Sequence, residues 1–251
     1  MALTRDAAAS WLRRWDAQQQ LHTPHREERF DAILSTLAAF TGHSPRVLDL
    51  GCGPGSLSAR VRRNAVHAEV VAIDADPVLL AIGRAALGDD ARIRFVDADL
   101  RSGWLAALPQ PLPYDAAVST TALHWLGLAE LVRFYRELAT ALRPGAVLLD
   151  GDRFDFDHDQ QAIARGVDAA RDERIDRTEG EEDWQAWWDA AAADPDLAQE
   201  MEERRTRHHD HPHDNEGHSY EFHRAALLAA GFAEVGTVWQ RRVDRVLIAV
   251  R

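Results

Sequence analysis

One cysteine, Cys52, stands in 251 residues. That excludes an internal disulfide framework and fits a reducing, cytosolic setting. No apolar run approaches the roughly 20 residues a membrane helix needs. The first residues bring arginines and a tryptophan, not the apolar stretch of a secretory signal, so none is expected. Positive charge is scarce: 29 Lys and Arg against 41 Asp and Glu leave a net charge of −12. Nucleic-acid binders present a basic face, so bulk RNA or DNA is disfavoured as a partner. No internal repeat is visible. With 46% hydrophobic and 28% charged residues, the chain has ordinary globular composition. Its length allows one domain with a sizeable insertion.

What is present centres on residues 46–58. Val47, Leu48 and Leu50 form a short apolar run, as a buried parallel strand does. Asp49 interrupts it just ahead of Gly51, Gly53 and Gly55. Glycines so spaced let the backbone turn sharply and approach a ligand that a Cβ would repel. From Ser56 onward the chain reads as a helix whose N-terminus faces that ligand. A dinucleotide fingerprint wants Gly or Ala where Ser56 stands, and a carboxylate two residues before the first glycine repels a pyrophosphate. An amine-bearing or cationic ligand suits Asp49 better. Cys52 sits inside this loop, where a small side chain is needed.

Asp49-Leu50-Gly51-Cys52-Gly53-Pro54-Gly55 closely resembles the first motif of class I S-adenosylmethionine-dependent methyltransferases. The rest of the chain follows that family's order. Val70–Asp74 reads as a second strand ending in an acid about 20 residues past the loop, placed to accept both ribose hydroxyls, with Ala75 beside it. Asp76 and Pro77 explain themselves as helix N-cap and first helical residue; they leave Asp74 without a structural duty. After a third strand at Ile93–Val96, the resemblance gives Asp99 the adenine amino group and Leu100 the ring, with Asp97 as the alternative acid. Tyr114–Thr121 reads as the fourth strand and its exit, so Ser119 and Thr120 are expected to line the site. Ala122-Leu123-His124-Trp125-Leu126 resembles the corresponding segment of the trans-aconitate-methyltransferase-like branch. His124 can be a general base or a packed, hydrogen-bonded histidine.

A helical period at Leu128, Leu131, Val132, Tyr135 and Leu138 precedes Arg143-Pro144-Gly145 and a fifth strand at Ala146–Asp150. Ser219 suits the N-cap of a last helix through Ala230. Two strands, Val235–Gln240 and Val243–Val250, are too closely joined to be anything but antiparallel. The expected fold is therefore α/β: a Rossmann-like, doubly wound sheet of about seven strands, mostly parallel with an antiparallel C-terminal strand.

Outside this core lie helices in 1–45, predicted over 5–20 and 25–40, and a helical, lid-like insertion over 151–218. Arg26 and Arg29 make either a solvated face or, for Arg29, a contact to a carboxylate of cofactor or substrate. Trp184, Trp187 and Trp188 either pack the lid or wall an apolar pocket. Histidines at 208–213 could bind zinc or nickel, but Pro212 and the surrounding charge read as a surface loop. No metal is expected.

The resemblance implies methyl transfer from S-adenosyl-L-methionine to a small-molecule acceptor by in-line displacement, with O- or carboxyl-methylation favoured. A hydroxyl acceptor needs a base such as His124; a carboxylate does not. The rivals are methylation of tRNA or protein, disfavoured by the acidic chain, and a non-catalytic cofactor-binding protein, disfavoured by the intact motifs. An NAD(P) oxidoreductase fails at Ser56 and at the terminal hairpin. Monomer and homodimer are equally compatible with the sequence.

Overall fold

The computed structural model describes residues 3–23, 25–109, 112–156, 158–172, 182–208 and 218–251. Short apolar runs become strands: β1 (Arg46–Leu50), β2 (Glu69–Asp74), β3 (Ile93–Asp97), β4 (Tyr114–Thr120), β5 (Leu142–Arg153), β6 (Glu234–Arg241) and β7 (Asp244–Val250). They form one sheet in the order β3-β2-β1-β4-β5-β7-β6. The first five are mutually parallel, and β7 runs antiparallel between β5 and β6. The expected mixed sheet is therefore present. β5 is longer than Ala146–Asp150 at both ends, because Leu142 already pairs with Tyr114 and Arg153 with Asp244.

Helices between the strands are α3 (Ser56–Asn64), α4 (Pro77–Leu87), the short α5 (Trp104–Ala107) and α6 (Leu128–Ala141). Before the sheet come α1 (Arg5–His22) and α2 (Arg26–Phe40). After β5 come α7 (Gln161–Asp172), α8 (Trp184–Ala193) and α9 (Ala198–His208), and then α10 (Tyr220–Ala229). Caps act as the sequence suggests: Asp76 Oδ1 accepts from the Val78 and Leu79 amides, and Ser219 Oγ from that of Phe222.

Successive strand residues face opposite layers. Leu48, Leu50, Val71, Ile73 and Leu148 join α6 and α10 in one core. Val47, Val70, Val118, Val147 and Leu149 join α2 and α3 in another. A third cluster ties α1 and α4 to α8 and α9 through Trp11, Val78, Ile82, Trp187 and Met201, with Leu197 just ahead of α9. The three insertion tryptophans divide: Trp187 and Trp188 are buried, while Trp184 is exposed. Trp187 meets Trp11 at 5.2 Å and Trp15 at 5.0 Å, both edge-on. They are packing residues of the cover.

Among the described residues, no helix is long and apolar enough to cross a membrane. None of their acids, histidines or Cys52 gather in a group suited to a metal. Positions 209–213 of the histidine run lie outside the described residues.

Candidate functional site

The strand order reverses between β1 and β4, and a crevice beyond the carboxyl ends there is where open α/β sheets bind ligands. Register brings those ends together: Leu50 lies beside Ile73 and Ser119, Asp74 beside Asp97, and Thr120 beside Gly151. At Leu50 the chain enters the glycine loop. Gly51 and Gly53 take φ of +68° and +54°, and a Cβ on Gly51 would come within 2.3 Å of the Ala122 Cβ. Gly55, at φ +90°, leads into α3. Only glycine fits this close approach without strain.

Asp49 is buried beneath the loop and accepts a 2.6 Å hydrogen bond from Ser58 Oγ. Burial pushes its pKa up to about 7. Asp74 has the structural duty that the sequence did not reveal. Its Oδ2 accepts from the Gly53 amide at 2.7 Å and its Oδ1 from the Asp76 amide at 2.8 Å, pinning the loop to β2. Burial raises its pKa to about 6. Each carboxylate oxygen keeps a second acceptor site, so this duty leaves room for hydroxyl donors. Cys52 is buried, and burial raises its thiol pKa well above the ordinary value, so it offers no thiolate nucleophile.

After β3, Asp99 Oδ1 accepts from the Arg101 amide at 2.8 Å, while Leu100 packs against the core. Two expectations need correction. Ser119 is fully buried and its Oγ donates to the Leu50 carbonyl at 3.0 Å, so this hydroxyl fastens β4 to β1 instead of lining a cleft. Thr120, one residue further out, is half-buried. Arg26 and Arg29 are not a solvated face, for both are buried. Arg29 donates to the Gly151 carbonyl at 3.0 Å and to Asp244 Oδ1 at 2.9 Å, which ties α2 to β5 and β7. Its charge is already matched within the fold.

His124 follows β4 in a single turn of 3₁₀ helix, and its partner is one that the sequence did not suggest. Its Nδ1 lies 3.0 Å from each carboxylate oxygen of Asp152, a buried residue of β5. Burial pulls the imidazole pKa down, but the charge and hydrogen bond of Asp152 outweigh it, and the net direction is up. Asp152 is held below the ordinary carboxylate range: burial opposes this, and His124 overcomes it. An ionised Asp152 makes Nδ1 the donor, leaving Nε2 for a second partner. A regular β-strand at 146–150 hid this pairing, since Asp152 lies beyond the predicted strand end. Gln18 on α1 also escaped notice. It is fully buried, and neither amide atom has a hydrogen-bond partner among the described residues.

This donor set fits an adenosyl amino-acid cofactor: a glycine turn for close approach, an acid at the end of β2, and another after β3. The profile of a family described as "Methyltransferase domain" matches residues 47–145. That stretch, under half of the chain, is similar to a methyltransferase domain, in line with the resemblance of its motifs to the class I S-adenosylmethionine-dependent methyltransferases. A trans-aconitate 2-methyltransferase of Streptomyces avermitilis is 34% identical over 116 residues, 45% of this chain and 41% of that protein. A malonyl-[acyl-carrier protein] O-methyltransferase of Enterobacter lignolyticus is 33% identical over 144 residues, 57% of this chain and 52% of that protein. The chain thus spans about half the length of the curated relatives it matches. Among solved structures, an O-methyltransferase family protein from Burkholderia thailandensis superposes with a TM-score of 0.60. Its identity is 17%, and the match covers 100% of this chain and 64% of that one. The apo methyltransferase SibL gives a TM-score of 0.58 at 19% identity, covering 88% of this chain and 54% of that one. At these identities the two structures speak for the fold alone.

Proposed function

We propose that this chain is a methyltransferase and forms methyl esters on a small carboxylic acid. S-adenosylmethionine, when bound, supplies an electrophilic methyl on sulfur for in-line displacement by an acceptor oxygen. The residues that would hold it are the Gly51–Gly55 loop with Cys52, Asp74 and Ala75 at the ribose, and Asp99 with Leu100 at the adenine. Holding nucleophile and methyl in line is the main catalytic task, worth up to about 7–11 kcal/mol.

The observation that carries the choice of acceptor is the His124–Asp152 pair. Asp152 fixes the ring, and although burial lowers the imidazole pKa, the charge and hydrogen bond of Asp152 shift it upward, so the imidazolium persists to higher pH than in an ordinary histidine. An imidazolium is a poor base but a good partner for an anion. It would neutralise one face of a carboxylate acceptor in a chain whose net charge is −12. A carboxylate is already a nucleophile and needs no proton removed. Two relatives bear names that denote acid substrates, which agrees with this reading.

The test is a methylation assay with S-adenosylmethionine and a panel of di- and tricarboxylates, trans-aconitate included, beside phenols and alcohols. Turnover of acids is expected, with KM for the acid rising once pH exceeds the His124 pKa. In His124→Ala, cofactor binding should persist while the acid's KM rises. A kcat that instead climbs with pH on a hydroxyl substrate would assign His124 the role of base and overturn the carboxylate reading.

A further inference from the structure

Two acids stand at the end of β3, Asp97 as its last residue and Asp99 just beyond, and α9 treats them differently. Arg207, in the last turn of α9, places Nη1 2.6 Å from Asp97 Oδ1 and Nη2 2.8 Å from Asp97 Oδ2. The same Nη1 donates to the Ala75 carbonyl at 3.0 Å, and Glu203 holds the guanidinium from its own helix. One turn earlier, Arg204 Nε donates to Asp76 Oδ2 at 2.7 Å and its guanidinium lies 3.8 Å above the Trp188 ring. Thus α9 spans the carboxyl ends of β2 and β3. Ala75 and Asp76 directly follow Asp74, and Asp97 pairs with Asp74 across the sheet. Asp99, by contrast, bonds to Arg101 in its own loop and, among the described residues, to none of the insertion.

We propose that α9 completes the adenosine end of the cofactor site, with Arg207 closing over the ribose–adenine edge and so setting how long the cofactor stays. This rests on the methyltransferase reading above. A planar guanidinium occupies both oxygens of Asp97 at once, which leaves Asp99 as the acid open to an amino group. Two guanidiniums also offset the carboxylates of Asp74, Asp76 and Asp97, which would otherwise repel one another where the strands end. In this arrangement α9 covers the cofactor, and the contact that holds it there is ionic. Side-chain exposures of 33% for Arg207 and 37% for Asp97 leave that contact open to salt.

The experiment measures equilibrium binding and release of S-adenosylhomocysteine and of 5′-methylthioadenosine, which keeps the adenosine but lacks the amino acid. It uses the full chain as wild type, Arg207→Ala, Arg207→Lys and Arg205→Ala. Arg205 pairs with Glu202 on the exposed side of the same helix and serves as control. Arg207→Ala should weaken both ligands by about tenfold and speed their release, with Lys restoring only part, since it cannot bond both oxygens in a plane. Raising NaCl from about 0.05 to 0.5 M should speed release from wild type and not from Arg207→Ala. Arg205→Ala should match wild type. Release from Arg207→Ala at the wild-type rate overturns the proposal, as does a loss confined to S-adenosylhomocysteine. Should Arg207→Ala misfold, Asp97→Asn breaks the same contact from the other side and is held to the same outcomes. A wild-type chain that binds neither ligand would instead remove the methyltransferase reading itself.

Discussion

The cover formed by α1, α8 and α9 meets the sheet at the glycine loop through α1 and at the ends of β2 and β3 through α9, yet different forces hold sheet and cover. In the sheet, Val47, Leu48, Leu50, Ile73, Val118 and Leu149 are fully buried, and the stabilisation is non-directional apolar burial plus a regular hydrogen-bond ladder. In the cover, one apolar cluster around Trp11, Val78, Ile82 and Trp187 is supplemented by aromatic edges and charged pairs: Trp11 and Trp15 on Trp187, Arg204 over Trp188, Arg207 on Asp97. Burial spread over many residues survives single changes. A cover that rests on one smaller apolar cluster and a few directional contacts is more exposed to a single change. Under the function proposed above, a protein that must admit and release its cofactor is served by such a division.

The strongest way to break that contrast is Trp187→Ala. The ring is fully buried among Trp11, Trp15 and Trp188, so its loss should cost about 3–5 kcal/mol in denaturant unfolding. Hydrogen exchange should show opening concentrated in α1, α8 and α9, with β1, β2 and β4 still protected. Equal loss of protection across the sheet would mean that cover and sheet unfold as one unit.

The sheet was legible in the sequence because its signals are local. Apolar runs of five or six residues, the glycines at 51, 53 and 55, and Asp76-Pro77 each specify their own element within a few positions. The two-strand ending was legible for the same reason. The cover's partners lie far apart in sequence: Trp11 meets Trp187, Arg207 meets Asp97, and His124 meets Asp152. Periodicity put Trp184, Trp187 and Trp188 on one face but could not say what they face, nor that Trp184 stays exposed. Nor could it separate a solvated Arg29 from one buried against Gly151 and Asp244, since the same residue type serves both and only the packing of α2 on β5 decides. Ser119 was misplaced by one pleat: its position at the strand end was right, but its side chain points between β1 and β4.

A smaller effect tests how the sheet's buried acid answers the ligand. Burial holds the Asp49 pKa at about 7 in the ligand-free protein. A folded pKa above the unfolded value means that this group's contribution to stability is full below about pH 4 and is lost as pH rises through about 7. A bound α-ammonium or sulfonium reverses the preference by favouring the carboxylate. Binding of S-adenosylhomocysteine should therefore release protons between about pH 5.5 and 7, and tighten with pH by at most about tenfold per unit for one such group. Calorimetry in two buffers of different ionisation enthalpy reads the proton count directly, and Asp49→Asn should reduce it to what Asp74, with its pKa near 6, contributes. A proton count of zero in the wild type would separate Asp49 from the ligand and leave it a purely internal partner of Ser58.

The smallest predicted change has an unusual sign. Gln18 belongs to the cover, on the same face of α1 as Trp11, and it is fully buried with both amide atoms unpaired among the described residues. Such a group bears its desolvation penalty with nothing in return. Gln18→Met keeps the length and nearly the shape of the side chain while removing both polar atoms. It should raise the unfolding free energy of the ligand-free protein by about 1–2 kcal/mol, against the general tendency of core substitutions to destabilise. The comparison sharpens when the measurement is repeated with saturating S-adenosylhomocysteine. If the amide finds its partner only in the loaded state, the variant's advantage shrinks or inverts there, and the cover carries a polar group reserved for binding. If the gain is the same with and without ligand, Gln18 is a cost of the fold alone. A loss of stability in the free protein would show that the amide is already bonded, and would move the cover one step closer to the sheet in how it is held.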